Sequence, residues 1–546
     1  MTRYLLAAEA DKIQDLIFRS SRLREVVGGS QLLSRFCKEV PGYLLPRYGG
    51  NPARDIIIHD GGSFRILFDD FDQARDFGTH LAEVYRRATG GSLTVAEPVE
   101  VKEPIEQYFS KASEQAEENL RQAKNRGEGW QSQEHLPYMA FCSSCGVGLA
   151  VAHQVYHEGE KPQYVCTSCL NKSAERENID TLGDFLKDCY QEVVGEARLI
   201  QADWPGKKKR RERSEKDPLE DIADYDPRRY VAYLLADGNS MGEVFGKCQS
   251  PEQMRALSKG LIQAIRRALA RPTQKIMEKN QLDNRPNFIP LLPLILGGDD
   301  LFALLPARWA LDFARCFCQA YEDEMIDLLK RVGLSDGVPR PTVSVAVVIC
   351  KSKHPYALAH TAGEVRLKEA KRLSKQRWFL DIGQPCSVLD FEVVRGGRLV
   401  SKSQRGEVRS TLRPYWIIDE GDEWGLPVKQ LIDQRWNLRA CPQKRLSDLK
   451  DLYDTPNRPD SLDPDKLVRW QIKLEQLVMR IEQRSAQGPD VTVRAALELL
   501  GGSEKGYWRQ VIRYQDLWYG HGLPDLLDAW DFALSLDKSR RDYEEG

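Results

Sequence analysis

Apolar positions follow two rhythms along the first 380 or so residues, and the same succession of rhythms occurs twice. The run Tyr4 to Ala8 predicts a strand, and Asp11 to Phe18 moves to helical spacing. Gly28-Gly29-Ser30 interrupts it and opens a second helix. Residues 56–68 read apolar, Gly61-Gly62, apolar, which predicts a hairpin. A helix is expected from about Phe71 to Thr89, a strand at Leu93 to Ala96, and a long polar helix ending in Gln122-Ala123-Lys124. The order then recurs. Arg229 to Ala236 is a strand ending at Asp237-Gly238-Asn239, Gln253 to Lys279 a helix, and Phe288 to Leu305 a hairpin around Gly297-Gly298. Trp309 to Val332 is a helix, Thr342 to Ile349 a strand, and Tyr356 to Leu373 a helix ending in Glu369-Ala370-Lys371. Strand, helix, hairpin, helix, strand, helix is the ferredoxin-like βαββαβ arrangement, and its duplication argues for an α+β fold more strongly than either copy alone. Aligned on their glycine pairs, the copies place Ser63 and Phe64 where the second has Asp299 and Asp300.

Beyond the repeat, Ser461 to Gln483 carries Leu467, Leu474, Leu477, Val478 and Ile481 at helical spacing after Asp463-Pro464. Windows rich in Trp and Leu (Trp508, Leu517, Trp518, Leu527, Trp530) read as helical too. Four domains are therefore expected: residues 1–130 and 223–388 for the two copies, 131–222 between them, and a helical bundle over 389–546. Lys and Arg total 79 against 81 Asp and Glu, so a polyanion must be met by local basic patches, not by the overall field. No stretch approaches the ~18 unbroken apolar residues that span a bilayer. A soluble, cytoplasmic protein with no membrane partner is expected, and eight of the twelve cysteines are scattered as in a reducing compartment.

Gly297-Gly298-Asp299-Asp300 sets two adjacent carboxylates at a strand end, where buried like charges persist only beside a cation such as Mg2+. A solvated hairpin turn is the plain alternative. In a ferredoxin-like domain the end of the first strand lies beside the central hairpin, which brings Asp237 toward Asp299 and Asp300. Three carboxylates suffice for two Mg2+ ions at the phosphates of a nucleotide. The following strand and helix carry Ser344 and Lys371 to the same rim, where an ammonium group neutralises phosphate.

Cys142-Ser143-Ser144-Cys145 and Cys166-Thr167-Ser168-Cys169 have the spacing of two knuckles that close one tetrahedral Zn2+ site. Four thiolates leave no open position, so the zinc is structural. His153 and His157 read as surface residues. Lys207 to Arg213 forms a basic run without interleaved aromatic residues, a solvated connector able to touch phosphate but not to stack on bases. His59-Asp60 ends a strand before a glycine turn, without the further His and Asp residues that a metal-dependent phosphohydrolase needs.

The opening Ile13-Gln14 to Phe18 with Gly28-Gly29-Ser30, the four cysteines, Ala236 to Gly242, Gly297 to Asp300 and Ala370-Lys371 stand in an order that resembles the large, polymerase-like subunit of type III CRISPR effector complexes. The likeness runs over about residues 1 to 380. It implies two nucleotide cyclase-like palm domains, a zinc-binding domain between them and a helical domain. It implies a nucleotidyltransferase that joins ATP into cyclic oligoadenylates when the complex holds a target RNA. Other effector subunits and guide RNA are the implied partners, and Mg2+ or Mn2+ with ATP the implied cofactor and substrate. Asp237, Asp299 and Asp300 would be catalytic metal ligands in the second palm. Gly61, Gly62 and Ser63 in the first palm, with Gly238, Gly297, Gly298, Ser344 and Lys371 in the second, would bind nucleotide. The two glycine turns are expected to face each other, the first palm mainly orienting its nucleotide. Two departures stand out: the chain starts at the first palm where the family often begins with a histidine-aspartate nuclease, so cleavage of single-stranded DNA is not expected. Asn239 also replaces a second aspartate, and a backbone carbonyl near Gly238 is the substitute oxygen. An idle scaffold of the same complex and a free-standing nucleotide cyclase are the alternatives.

Overall fold

The computed structural model describes residues 2–537 apart from 21, 128–137, 156–160, 178–183, 208–217, 280–284, 335–336, 380–384, 396–410, 419–424, 440, 455–463, 485–492, 503–507 and 514–515. Lys207 is described, and the rest of the basic run, with His157, lies outside the described residues.

The first sheet contains β1 (Arg3–Asp11), β2 (Ile56–Asp60), β3 (Ser63–Phe68), β4 (Ser92–Val95) and β5 (Val99–Val101). Its strands lie in the order β2-β3-β1-β4, with β5 also pairing β1, and all pairings are antiparallel. Helices Leu23–Leu44, Phe71–Thr89 and Ile105–Arg126 accompany this sheet. The second of these begins where the Asp70 carboxylate accepts from Gln73 N (2.9 Å) and ends on Gly90 at φ +74°, a left-handed stop that glycine adopts without cost.

Between the sheets, the short strands β6 (Ala152–Gln154) and β7 (Gln163–Val165) and the helix Thr167–Glu177 form a small module seated on the first sheet's helices. Ser144 donates to the buried Glu25, as does Ser173 at 3.4 Å, while the buried Lys172 ammonium donates to Leu16 O. Asn171 Nδ2 reaches Ala88 O at 2.8 Å.

The second sheet repeats the first and then outgrows it. β8 (Tyr230–Gly238), β9 (Leu292–Gly297), β10 (Asp300–Pro306) and β11 (Val343–Lys351) take the order β9-β10-β8-β11, the counterpart of β2-β3-β1-β4. β12 (Val388–Val393) then adds parallel to β11, and β13 (Tyr415–Trp416) pairs with β12. The sheet thus runs past residue 388, where sequence reading placed a boundary, because Val388, Leu389 and Phe391 find a fully buried edge beside β11. Helices Pro251–Glu278, Ala310–Arg331 and Tyr356–Phe379 belong to this half.

Helices Val428–Asn437, Gln443–Asp454, Pro464–Arg484, Val493–Leu500 and Gly522–Asp528 give the carboxyl-terminal region its expected helical character. One part departs from the expectation. Arg509–Arg513 and Asp516–Gly520 form a β-hairpin, so Leu517 and Trp518 lie on a strand. Val511-Ile512 is a β-branched pair and Trp518-Tyr519 an aromatic one, and both favour strand over helix. One continuous apolar core runs through both sheets into the carboxyl-terminal helices. No helix is long and apolar enough to cross a membrane among the described residues.

Candidate functional site

The site forms where two strand ends and a two-residue turn meet. On β8 the chain stays apolar and buried from Val231 to Ala236 and turns polar at Asp237. Register places Asp237 opposite Asp300 of β10 on one side and opposite Ser344 of β11 on the other. The turn before Asp300 consists of Gly298, at φ +61°, and Asp299. Lys371, two turns before the end of the helix Tyr356–Phe379, reaches over the strand ends and pairs with Asp237 Oδ2. Ala370 before it is buried, which fixes the turn of helix that aims the lysine.

The three carboxylates are neighbours, but the structure does not draw them into one tight ligand cluster. Among the described residues only the four cysteines bring three or more candidate ligand atoms within 4.8 Å of one another. Asp237 and Asp300 lie opposite each other across β8 and β10, and the charges of Asp237 and Asp299 both act on Asp300. Burial, then the charges of Asp237 and Asp299, push the Asp300 carboxyl up to about 8. Burial and Asp237 push Asp299 up to about 6, with Glu9 of the first sheet adding to the effect. Two buried carboxyls, Asp299 and Asp300, pushed upward by burial and by neighbouring charge, with one lysine among three acids, form a donor set that a hard divalent cation fits by charge and oxygen chemistry.

Ser344 lies opposite Asp237 on the expected strand. It is fully buried, and its hydroxyl donates to Asn239 Oδ1 at 2.8 Å. Asn239 Nδ2 donates in turn to Thr342 Oγ1 at 2.9 Å. Both ends of the amide are therefore spent on β11 and its approach, which leaves Ser344 supporting Asn239. Gly238 is required by crowding: a Cβ there would lie 2.7 Å from Met241 Cγ and 2.8 Å from Tyr321 Oη. Tyr321 went unnoticed in the sequence, where it is one aromatic residue on a helix. It is buried beside the site, and burial with the charges of Asp299 and Asp237 drives its hydroxyl strongly upward.

The first sheet carries a matching set. Glu9 lies opposite Ser63 and Thr94, as Asp237 lies opposite Asp300 and Ser344. Lys124 Nζ pairs with Glu9 Oε1 at 2.7 Å, as Lys371 pairs with Asp237. Asp11 accepts from Thr94 Oγ1, as Asn239 accepts from Ser344. This register corrects the alignment on glycine pairs by one residue: Ser63 corresponds to Asp300, Gly62 to Asp299 and Gly61 to Gly298. The turn requires it, because Gly61 (φ +59°) and Gly62 (φ +80°) are its two central residues, as Gly298 and Asp299 are in the other. The signal was available in Glu9-Ala10-Asp11 beside Asp237-Gly238-Asn239.

The two turns meet. A Cβ on Gly61 would lie 2.6 Å from Gly298 N and 2.8 Å from Gly297 C, so the hairpins of the two sheets touch through bare backbone. Gly62 packs over the end of β1 and the helix after it, where a Cβ would meet Ala10 Cβ at 3.0 Å and Ile13 Cδ1 at 2.5 Å, and its carbonyl accepts from Ala10 N at 2.8 Å. His59 stands apart from this seam and contacts Cys37 O through Nδ1 at 3.1 Å.

Away from the seam, Cys142, Cys145, Cys166 and Cys169 gather in one cluster, with Cys145 and Cys166 sulfurs 3.7 Å apart. Zn–S bonds of ~2.3 Å at tetrahedral angles imply sulfurs spaced by about that distance. Without a metal the thiols cannot all ionise, and the Cys145 contact pushes Cys166 up to about 11.

The fold is shared with known proteins. Residues 230–378 match the family model described as Cas10/Cmr2, second palm domain. They form a palm domain. No protein of curated function matches the chain. Among solved structures, the chain is similar to the Csm1–Csm4 cassette in complex with cA4 at 15% identity and TM-score 0.52, covering 91% of this chain and 68% of that one. The cassettes in complex with cA3 and with one ATP are similar at 15% identity and TM-score 0.51, covering 98% and 96% of this chain and 70% of each of theirs. The chain spans 64% of the apo cassette's chain.

Proposed function

We propose that this chain converts ATP into cyclic oligoadenylates as the polymerase-like subunit of a type III CRISPR effector complex. The observation that carries the reading is the seam. Two sheets of one design meet at their glycine turns, and only one side bears Asp237, Asp299 and Asp300. Holding two nucleotides side by side, one near the carboxylates and one opposite it, makes their coupling an effectively unimolecular step. Similar chains in complex with cA4, cA3 and ATP support that substrate class.

In the second palm Asp237, Asp299 and Asp300 would hold Mg2+ or Mn2+, which when bound lowers the pKa of an attacking hydroxyl and offsets charge on the phosphates. Lys371 meets phosphate oxygens and releases Asp237 for the cation. Gly297 keeps side chains out of the seam, so that nucleotides on the two palms can adjoin. The first palm, at Gly61, Gly62 and Ser63, orients the partner nucleotide. Its 3′-hydroxyl oxygen bonds the α-phosphorus of the other ATP, the bond to the bridging oxygen breaks, pyrophosphate leaves and the hydroxyl proton passes to solvent. Tyr321 and the Asn239–Ser344 pair keep the strand ends in place. The four cysteines hold one structural Zn2+ that clamps the small module to the first palm. Guide RNA, target RNA and neighbouring effector subunits are the partners this reading requires.

Incubating the purified chain with each NTP and Mg2+, with and without the guide complex and target RNA, tests the proposal. Cyclic oligoadenylate made from ATP and stimulated by target RNA is expected. No coupled product from any NTP in the complete assembly would refute it.

A further inference from the structure

The first palm is not blank. It retains the lysine, and it has lost most of the carboxylates. At the rim of the second palm three acids, Asp237, Asp299 and Asp300, face one ammonium, Lys371. At the matching rim of the first, Ser63 and Gly62 stand in the places of Asp300 and Asp299, and Glu9 alone faces Lys124. Asp11 is turned into the sheet, accepting from Thr94 Oγ1 at 2.9 and 2.8 Å. One carboxylate already matched by a lysine offers a divalent ion neither the charge nor the oxygen ligands it needs.

Lys124 is set up as Lys371 is. It follows a buried alanine, Ala123, near the end of the helix Ile105–Arg126, and reaches back over the strand ends. Both lysines are about one-third exposed, at 33% and 34%, so each keeps a face open to a ligand while its carboxylate holds it in place. A point-charge ammonium on a flexible stem suits phosphate.

We infer that the first palm binds the phosphates of a nucleoside triphosphate through Lys124 without a divalent ion, Glu9 holding the lysine until phosphate replaces it. The inference rests on the two-nucleotide reading above for the identity of the ligand. It assigns the two sites different metal requirements: independent of metal in the first palm, dependent on it in the second. Glu9 and Lys124 act as positioning residues for the nucleotide that supplies the hydroxyl.

Equilibrium dialysis of labelled ATP against the full chain tests this, in EDTA and in Mg2+. In EDTA one ATP per chain is expected to bind, and Lys124→Met is expected to weaken it about tenfold or more, the worth of one charge-assisted contact. Lys124→Arg should restore most of it, and Glu9→Gln, which removes the competing partner, should tighten it. Asp300→Asn and Lys371→Met should leave the EDTA-bound ATP in place and affect only the additional binding seen in Mg2+. Circular dichroism of each variant confirms folding. Absence of ATP binding in EDTA, or loss of it in Lys371→Met with Lys124→Met unaffected or equally affected, overturns the inference. Lys124-dependent binding in EDTA together with no coupled product in Mg2+ would refute the proposed reaction and leave this site standing.

Discussion

Gly61 and Gly297 touch through bare backbone: a Cβ built on Gly297 would lie 2.7 Å from Gly61 Cα, closer than any side-chain rotation could relieve. The two palms are therefore held at a fixed separation by residues that have no side chain to lose. Gly297 is distinguished from its neighbour Gly298, which has open space around its Cβ direction but a backbone at φ +61°.

That contrast yields a paired prediction. Gly297→Ala should wedge the seam open at an overpacking cost of about 1–3 kcal/mol and cut nucleotide coupling at least tenfold. Gly298→Ala should cost about 1–2 kcal/mol through left-handed strain and leave the seam closed, with a much smaller effect on coupling. Melting curves and coupling assays on both variants check this. Equal coupling in the two would show that the spacing of the hairpins does not matter.

The carboxylates predict a loss of activity without a loss of fold. Asp299→Ala and Asp300→Ala should each abolish coupling while the melting temperature stays at or above that of the wild type. Each removes a buried charge that its neighbours already disfavour. Coupling at wild-type rate in the double variant would place the chemistry elsewhere.

The same groups set a pH dependence. Asp300, held near 8, and Asp299, held near 6, both titrate at 3.8 when unperturbed. Below about pH 4 folded and unfolded chains both carry these protons, and no stability difference arises. Between pH 4 and 8 the unfolded chain has released protons that the fold retains, so metal-free stability falls as pH rises and levels off above about 8. On the proposed reading Mg2+ binds the ionised form and opposes the fall. The gap between melting temperatures in Mg2+ and in EDTA should therefore widen from pH 6 to pH 8, and narrow in Asp300→Asn. A gap of constant size would contradict the assignment.

Zinc removal should be felt in the first palm. Structural zinc contributes folding free energy on the order of 10 kcal/mol in small modules. Ser144, between two of the cysteines, donates to Glu25 on the helix Leu23–Leu44. Cys142→Ser or Cys166→Ser should release about one zinc per chain and raise hydrogen exchange along that helix. Metal analysis of the native protein finding no zinc would end this account.

Much of this was legible in the sequence because it depends on local pattern. The duplicated order of strand, helix and hairpin follows from apolar periodicity and glycine pairs, and the zinc module from cysteine spacing. What escaped depends on register. Alternation along β3 does not say which residue faces Glu9, so the glycine pairs were aligned one position out, and Glu9 and Lys124 passed as ordinary polar residues. Ser344 reads as a rim hydroxyl until register puts it opposite Asp237 in a buried strand with Asn239 above it. The hairpin of Arg509–Arg513 and Asp516–Gly520 is too short for periodicity to separate from a helix.

Asn239 offers the last test, because the first palm already contains the experiment. There Asp11 takes the corresponding place, with both oxygens accepting from Thr94 Oγ1. In the second palm the amide is satisfied by Ser344, which donates, and Thr342, which accepts. An aspartate at 239 would keep the Ser344 contact, and the Thr342 hydroxyl can rotate to donate, so Asn239→Asp costs little in packing. It adds a negative charge two residues from Asp237, which favours a cation at this rim. The variant should therefore reach half-maximal coupling at a severalfold lower Mg2+ concentration, with a lower melting temperature in EDTA and a wild-type value in saturating Mg2+. Titration of coupling rate against Mg2+ decides it. An unchanged or higher Mg2+ requirement would mean that residue 239 lies outside the field of the metal ligands.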